Sequence, residues 1–264
     1  ENNSLSFDGE DYVGLSNSPI FSGVQNNFTI SAWINPESFD GWGAVYHHRG
    51  HYSDIYLNVE PDGRIRFYVG GTTALFGDLE LNQWVHIAGS YDGTTEKLYI
   101  NGNLVDSQND FSGDVNWDYN YCWETFGGSS ENSTGLCSGG YSGLIGKMDD
   151  VSIWNQALTQ GQILANINSE ISGTEQGLVG YWNFNEGEGN TLTDISGNGN
   201  NGTIYGATWS GEGYVPPVYG CTDSYAENYD PDATADDGSC SGYPDNGNYS
   251  LHFNGSGDHV NLGT

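Results

Sequence analysis

Apolar and polar residues alternate with a period of two along most of this chain, in short runs broken by turn residues. Residues 4–7 and 12–15 flank the turn Asp8-Gly9-Glu10-Asp11. Residues 28–34 read Phe-Thr-Ile-Ser-Ala-Trp-Ile, apolar on one face. Runs at 55–59, 65–69, 84–91 and 97–100 continue the series, and Asn101-Gly102 is a tight hairpin signal leading into Leu104-Val105. Further runs fall at 144–148, 151–154, 178–184, 203–205 and 207–209. Such a pattern predicts antiparallel strands that bury one face. One stretch has a helical period: Thr159-x-x-Gln162 reads as a capping box, with Ile163, Leu164 and Ile167 on one side. The sum is an all-β chain, an antiparallel two-sheet sandwich with one short helix as a lid.

The pattern divides the chain into three parts. Residues 1–210 carry the sandwich. Residues 211–241 hold a stiff linker, Val215-Pro216-Pro217-Val218, and an acidic loop between Cys221 and Cys240. That loop has no apolar run, so a crosslink or a metal must order it. In 242–264 the first hairpin, read at 4–15, returns: Ser4-Leu5-Ser6-Phe7-Asp8-Gly9 as Ser250-Leu251-His252-Phe253-Asn254-Gly255, and Tyr12-Val13-Gly14-Leu15 as His259-Val260-Asn261-Leu262. The repeat period is about 246 residues. The copy predicts units joined end to end through Leu251, Phe253, Val260 and Leu262. The joint would form by hairpin addition of 248–264 to a neighbouring copy, or as the covalent start of a next module.

Charge narrows the function classes. The net charge is −30, with only Arg49, Arg64, Arg66, Lys97 and Lys147 positive. Nucleic-acid binding needs basic surface to release counterions, so it is excluded. No apolar stretch reaches the roughly 18 residues of a membrane span. The cysteines form two close pairs, Cys122/Cys137 and Cys221/Cys240, without Cys-x-x-Cys spacing; two loop-closing disulfides and an oxidising compartment are expected. Sequons at Asn2, Asn27, Asn132, Asn201, Asn248 and Asn254 agree with secretion.

Several segments together resemble the concanavalin-like jelly-roll family of laminin-G-like and pentraxin-like domains. They are 28–36; Gln83-Trp84-Val85-His86-Ile87-Ala88-Gly89-Ser90-Tyr91-Asp92-Gly93 with Leu98-Tyr99-Ile100-Asn101-Gly102; Gly146-Lys147-Met148-Asp149-Asp150-Val151; and Gly180-Tyr181-Trp182-Asn183-Phe184 with Asp194-Ile195-Ser196-Gly197-Asn198-Gly199. The resemblance covers about residues 1–210. It leaves open whether 178–210 closes this sandwich or belongs to the next repeat, and the short connection from the helix favours closure in cis. The segment 220–240 resembles a Cys-bracketed acidic repeat of secreted bacterial proteins, which implies a bacterial extracellular or cell-surface protein.

The resemblance also implies calcium, a cation that takes six to eight oxygens. A structural ion beside the first strand pair would use Asp8, Asp11, Asp149 and Asp150, with only one of the last two facing it, because successive strand residues point to opposite sides. A pentraxin-like ligand site would use Asp54 and Glu131. The loop carboxylates Asp223, Asp230, Asp232, Asp236 and Asp237 are a third candidate set. Trp117, Tyr119, Tyr121 and Trp123 crowd one loop that could fold onto its own sandwich, contact a neighbouring subunit or stack on sugars. His47-His48-x-x-His51 reads as a polar loop. No Gly-x-Ser-x-Gly elbow and no glucanase-like Glu-x-Asp-x-x-Glu strand occurs, so an enzyme is not expected. The leading expectation is a structural unit of an extracellular filament or surface adhesin. The alternative is a calcium-dependent, lectin-like carbohydrate-binding module of a secreted protein.

Overall fold

The computed structural model describes residues 2–15, 20–21, 24–48, 55–70, 73–116, 124–128 and 143–242. In chain order the strands are β1 (Ser4–Asp8), β2 (Tyr12–Leu15), β3 (Val24–Gln25), β4 (Phe28–Pro36), β5 (Gly43–His48), β6 (Ile55–Val59), β7 (Arg64–Val69), β8 (Leu75–Asp78), β9 (Val85–Tyr91) and β10 (Glu96–Ile100). They continue as β11 (Asn103–Gln108), β12 (Val115–Asn116), β13 (Thr125–Phe126) and β14 (Ile145–Trp154). After helix α1 (Gln160–Asn168) come β15 (Leu178–Trp182), β16 (Thr191–Leu192), β17 (Gly202–Tyr205), β18 (Thr208–Ser210), β19 (Tyr219–Gly220) and β20 (Ala235–Asp236).

Two antiparallel sheets make the sandwich. The first runs β11-β10-β9-β4-β14-β1-β18, with β15 also paired to β14; the second runs β16-β17-β2-β13-β5-β6-β7-β8. Leu5, Phe28, Ile30, Ile87 and Ile153 from the first sheet meet Val13, Leu57, Phe67, Phe126 and Ile204 from the second in one buried core. The alternation foreseen from sequence is the cause: each strand gives its apolar phase to the gap between sheets. Helix α1 begins at Thr159, whose side chain accepts from the Gln162 backbone while Gln162 returns a bond to the Thr159 backbone. Its Ile163 packs with Leu158, Ala88, Tyr99, Trp154 and Tyr181 on the outer face of the first sheet, so the helix is a lid as expected. The Asn101-Gly102 turn has positive φ at both residues, 49° and 73°, which is the turn that matches strand twist.

One element differs from its reading. Residues 4–15 are not a hairpin. β1 lies between β14 and β18 in one sheet, and β2 between β17 and β13 in the other. Leu5 and Phe7 face Val13 and Leu15 across the core, so the Asp8–Asp11 turn crosses the sandwich instead of folding back within a sheet. Period two fixes which residues face the core but not which sheet a strand joins.

The 178–210 segment closes this same sandwich: β15 pairs with β14, β17 with β2 and β18 with β1. Asp194 pins the return. Its Oδ1 accepts from the Tyr181 and Ser196 backbones (3.1 and 2.9 Å) and its Oδ2 from the Asn200 backbone (2.9 Å).

The chain divides into two compact units, Glu1–Val215 and Pro216–Thr264. Residues 211–215, read from sequence as the start of the linker, thus fall with the sandwich. The Gly213 N–H donates to the Asn2 carbonyl (3.2 Å), Ser4 Oγ to the Glu212 carbonyl (3.1 Å), and the Tyr214 ring stacks on Trp33. In the second unit the short parallel pair β19–β20 and the Cys221–Cys240 disulfide hold the acidic loop. Closing a loop of 19 residues removes about 3 kcal/mol of chain entropy from the unfolded state. The Cys221→Ser/Cys240→Ser double variant is therefore expected to be cleaved within 216–242 at least tenfold faster in limited proteolysis, with 1–215 intact by mass spectrometry. Equal cleavage rates would mean that the loop is ordered without its crosslink.

Candidate functional site

The side of the second sheet turned away from the core carries an unusual set of side chains. In β6 the core takes Ile55, Leu57 and Val59, which leaves Tyr56 and Asn58 on the outer face; in β7 it takes Ile65, Phe67 and Val69, which leaves Arg64, Arg66 and Tyr68 there. The register sets His47 against Tyr56, Tyr56 against Tyr68, and Asn58 against Arg66. The rings touch in sequence. His47 and Tyr56 centroids are 4.7 Å apart and Tyr56 and Tyr68 5.6 Å. The Arg66 guanidinium lies 5.0 Å from the Tyr68 ring and 5.8 Å from Trp42, within cation–π range. At the next strand Arg64 sits 4.0 Å over Phe76. His47, Tyr56 and Asn58 are buried, while Trp42, Arg66 and Tyr68 are half-buried around them.

Two of the chain's five cationic residues stand on this face, each beside a carboxylate. Arg64 meets Asp62 at 2.7 Å, an exposed pair at the β6–β7 turn. Arg66 Nε stands 3.7 Å from Glu60 Oε1, too far for a hydrogen bond. Burial raises the Glu60 carboxyl above its ordinary range, and Arg66 opposes that shift. On the other, core-facing side of the same sheet lies a buried carboxylate, Glu124. It accepts from Tyr46 Oη (3.0 Å) and the Ile20 backbone and meets His48 Nδ1 at 3.1 Å. His47 and His48 are thus β5 strand residues, not the polar loop expected. The run Gly43–His48 is buried along its whole length and shows no alternation to read.

The carboxylates expected to share a structural calcium are not brought together. Asp8 is opposite Ile145 in the β1–β14 register, four residues from Asp149, which is about 13 Å of strand. Asp8 and Asp11 serve their own turn: Asp11 Oδ2 accepts from the Asp8 backbone and Asp8 Oδ1 from the Glu10 backbone, both at 3.0 Å. Asp149 and Asp150 fall on a bulge of β14, where the pairing with β4 jumps from Asp149–Trp33 to Ser152–Ser31 and Asp150 takes φ 48°. Asp149 Oδ2 accepts from the Tyr214 backbone (2.9 Å) and its Oδ1 from the Asp150 backbone, while Asp150 Oδ1 accepts from Tyr181 Oη at 2.6 Å. Burial, then the Asp150 charge, pushes Asp149 up to about 8; burial pushes Asp150 up to about 6. In the second unit Asp223, Asp230, Asp236 and Asp237 each accept a backbone N–H two residues on, the ordinary turn use of aspartate, and Asp232 stays exposed. Among the described residues no three His, Cys, Asp or Glu side chains converge where a metal could sit.

Asp54, Trp117, Tyr119, Tyr121, Cys122, Trp123, Glu131, Asn132, Cys137, Asn248, Leu251, Phe253, Asn254, Val260 and Leu262 lie outside the described residues. Of the remaining sequons, Asn2 Nδ2 is bonded to the Tyr214 carbonyl, Asn27 Nδ2 to Asn26 Oδ1, and Asn201 Oδ1 accepts from the Asp194 backbone. No described helix is long and apolar enough to cross a membrane.

A family profile described as the concanavalin A-like lectin/glucanases superfamily matches residues 7–164, more than half of the chain. The chain belongs to that superfamily. Among solved structures, the lectin/glucanase-type sandwich is similar to a candidate carbohydrate-binding protein from Bacteroides ovatus, with TM-score 0.64 and 22% identity, covering 79% of this chain and 59% of that one. The chain thus spans little more than half of that relative. It is also similar to a heptameric SAP-like pentraxin from Limulus polyphemus, with TM-score 0.52 and 14% identity, covering 77% and 94%. Identities this low establish the fold alone. None of the curated proteins matches the sequence.

Sequence reasoning missed the face of this lectin/glucanase-type sandwich made by Trp42, Tyr56, Asn58, Arg66 and Tyr68. The signal was present. In β6 and β7 the outward phase carries aromatics and arginines in place of the Ser, Thr or Lys of a merely solvated strand, and it holds two of the chain's few cations.

Proposed function

We propose that the sandwich is a carbohydrate-binding module and that the outer face of its second sheet holds the sugar. The observation that carries this reading is the continuous run His47–Tyr56–Tyr68–Arg66–Trp42, three half-buried members of which border a buried floor. Ring faces accept the C–H faces of a pyranose, and arginine and amide groups make directional bonds to its hydroxyls. The superfamily's inclusion of lectins and the Bacteroides ovatus relative support the same reading. We take binding rather than hydrolysis. Most glycosidases aim two carboxylates at one bond, whereas on this face Glu60 and Asp62 each sit against an arginine. The Cys221–Cys240 disulfide suits an oxidising, extracellular setting.

A panel of immobilised polysaccharides, run in calcium and in EDTA, tests this. Tyr68→Ala and Trp42→Ala are each expected to weaken binding at least tenfold, about 1.4 kcal/mol, with Tm nearly unchanged. Binding to no glycan, or binding indifferent to both variants, would sink the reading. The EDTA arm tests separately the cation that Asp54 and Glu131 would hold.

A second reading, like modules in series, rests on the sequence copy at 250–262. β1 and β2 lie in different sheets with a strand on either side of each, so a copy of them finds no vacant edge at the matching place. Such a copy suits the founding strands of a further sandwich better than donation to this one.

A further inference from the structure

Three polar atoms on the same face are buried without a hydrogen-bond partner among the described residues: Asn58 Oδ1, Glu60 Oε1 and Arg66 Nε. They are neighbours. Asn58 and Arg66 are directly opposite across β6 and β7, Glu60 follows the end of β6, and Arg66 Nε is 3.7 Å from Glu60 Oε1. Asn58 is 1% exposed and Glu60 6%. A buried polar group left unpaired forfeits its hydration with nothing in return, so a fold seldom keeps three together unless something else satisfies them. The chain has apolar alternatives at such positions and uses them on the other phase of both strands, at Leu57, Val59 and Ile65.

We propose that Asn58, Glu60 and Arg66 form the specificity-determining polar subsite of the sugar-binding face and that it selects a neutral sugar bearing vicinal hydroxyls. This rests on the carbohydrate-binding reading above. The set offers two acceptors and one donor. A hydroxyl both donates and accepts, so a vicinal diol donates hydrogen bonds to Asn58 Oδ1 and Glu60 Oε1 and accepts one from Arg66 Nε–H, and all three are satisfied at once. Trp42 and Tyr68, both in contact with the Arg66 guanidinium, flank the subsite with ring faces for the sugar's apolar side. Glu60 decides the ligand's charge. A uronate or sulfate here would face the buried Glu60 carboxylate, which already pairs with the Arg66 guanidinium of the same site. An amino sugar would meet the same guanidinium. A neutral ring meets neither penalty.

The experiment uses the full chain and 1,4-linked galactan, glucan and mannan, each beside its own C6-oxidised form, so that the members of a pair differ only in the C6 carboxylate. Wild type is expected to bind at least one neutral member at least tenfold more tightly than its acidic partner. Asn58→Leu and Glu60→Gln are each expected to weaken that binding tenfold or more. Asn58→Leu is also expected to raise the Tm of the ligand-free chain, because it removes an unpaired polar atom; an asparagine kept for the fold would lower Tm on the same change. Preference for an acidic polymer overturns the proposal. So does wild-type binding that Tyr68→Ala abolishes but Asn58→Leu and Glu60→Gln leave intact, which keeps the face as a sugar site without this subsite. Binding to no polymer overturns the carbohydrate reading itself.

Discussion

Trp182→Ala is expected to remove about 3–5 kcal/mol of stability, lowering the Tm of the sandwich by roughly 6–20 °C. Trp182 is the largest fully buried side chain among the described residues. It stands edge-on to Phe126, with centroids 4.8 Å apart, so a residue of β15 fills space against β13 in the opposite sheet. Its indole N–H donates to the Asn200 carbonyl at 3.0 Å. Alanine would leave a cavity between the sheets and an unpaired carbonyl on the turn that Asp194 organises. Trp209→Ala is the comparison: Trp209 is only partly buried at the β1 edge, and its loss should cost less than half as much. The measurement is calorimetry on both variants. A Trp182→Ala Tm within about 2 °C of wild type would mean that residues 178–210 do not close this sandwich.

That prediction concerns a segment whose place the sequence left open, and the reason is physical. Alternation in Tyr181-Trp182-Asn183-Phe184 announces a strand, but pairing is decided by which partner's edge is available, and that is a property of the assembled sheets. Strand existence, the capping box at Thr159 and the Asn101-Gly102 turn were readable because each is a local matter of a few residues. The Asp8–Asp11 turn was misread for the opposite reason: one local turn signal serves both a hairpin and a crossing between sheets. Site residues fared likewise. Family position marked Asp149 and Asp150, but the β14 bulge turns them toward Tyr214 and Tyr181, away from Asp8. The outer face of the second sheet needed the β5–β6–β7 register to bring His47, Tyr56 and Tyr68 into one row, and no window within a single strand contains it.

The acid pair on β14 gives the second large expectation: stability of the sandwich should fall as pH rises from about 4 to 8, and Asp150→Asn should flatten that fall. Asp149 is held up to about 8 and Asp150 to about 6, both above the usual carboxylate value of 3.8. Across that interval the folded chain keeps protons that the unfolded chain has released, so rising pH favours unfolding; the contribution is full below about 4 and gone above the folded values. The groups facing the pair are Tyr181, whose hydroxyl donates to Asp150, Glu170 beyond α1, whose charge raises Asp150 further, and the Tyr214 N–H on Asp149. Other buried groups titrate in the same pH range. Glu96, pushed up to about 7 by burial, and Glu60, raised by burial, add losses of the same sign; His86, pushed down to about 3 by burial, adds a gain as pH rises toward 6.5. None of these changes in Asp150→Asn, so the difference between variant and wild type isolates the pair. Asparagine still accepts from Tyr181 but carries no charge, and Asp149 can then ionise at lower cost. The variant is expected to gain on the order of 1–3 kcal/mol at pH 8, roughly 2–10 °C in Tm, and little at pH 4. Melting curves at half-unit steps between pH 4 and 8 measure it. A difference constant with pH would show that the pair holds residues 211–214 on the sheet without storing charge repulsion, and a variant less stable at pH 8 would show that the Asp150 carboxylate itself is what the bulge is built around.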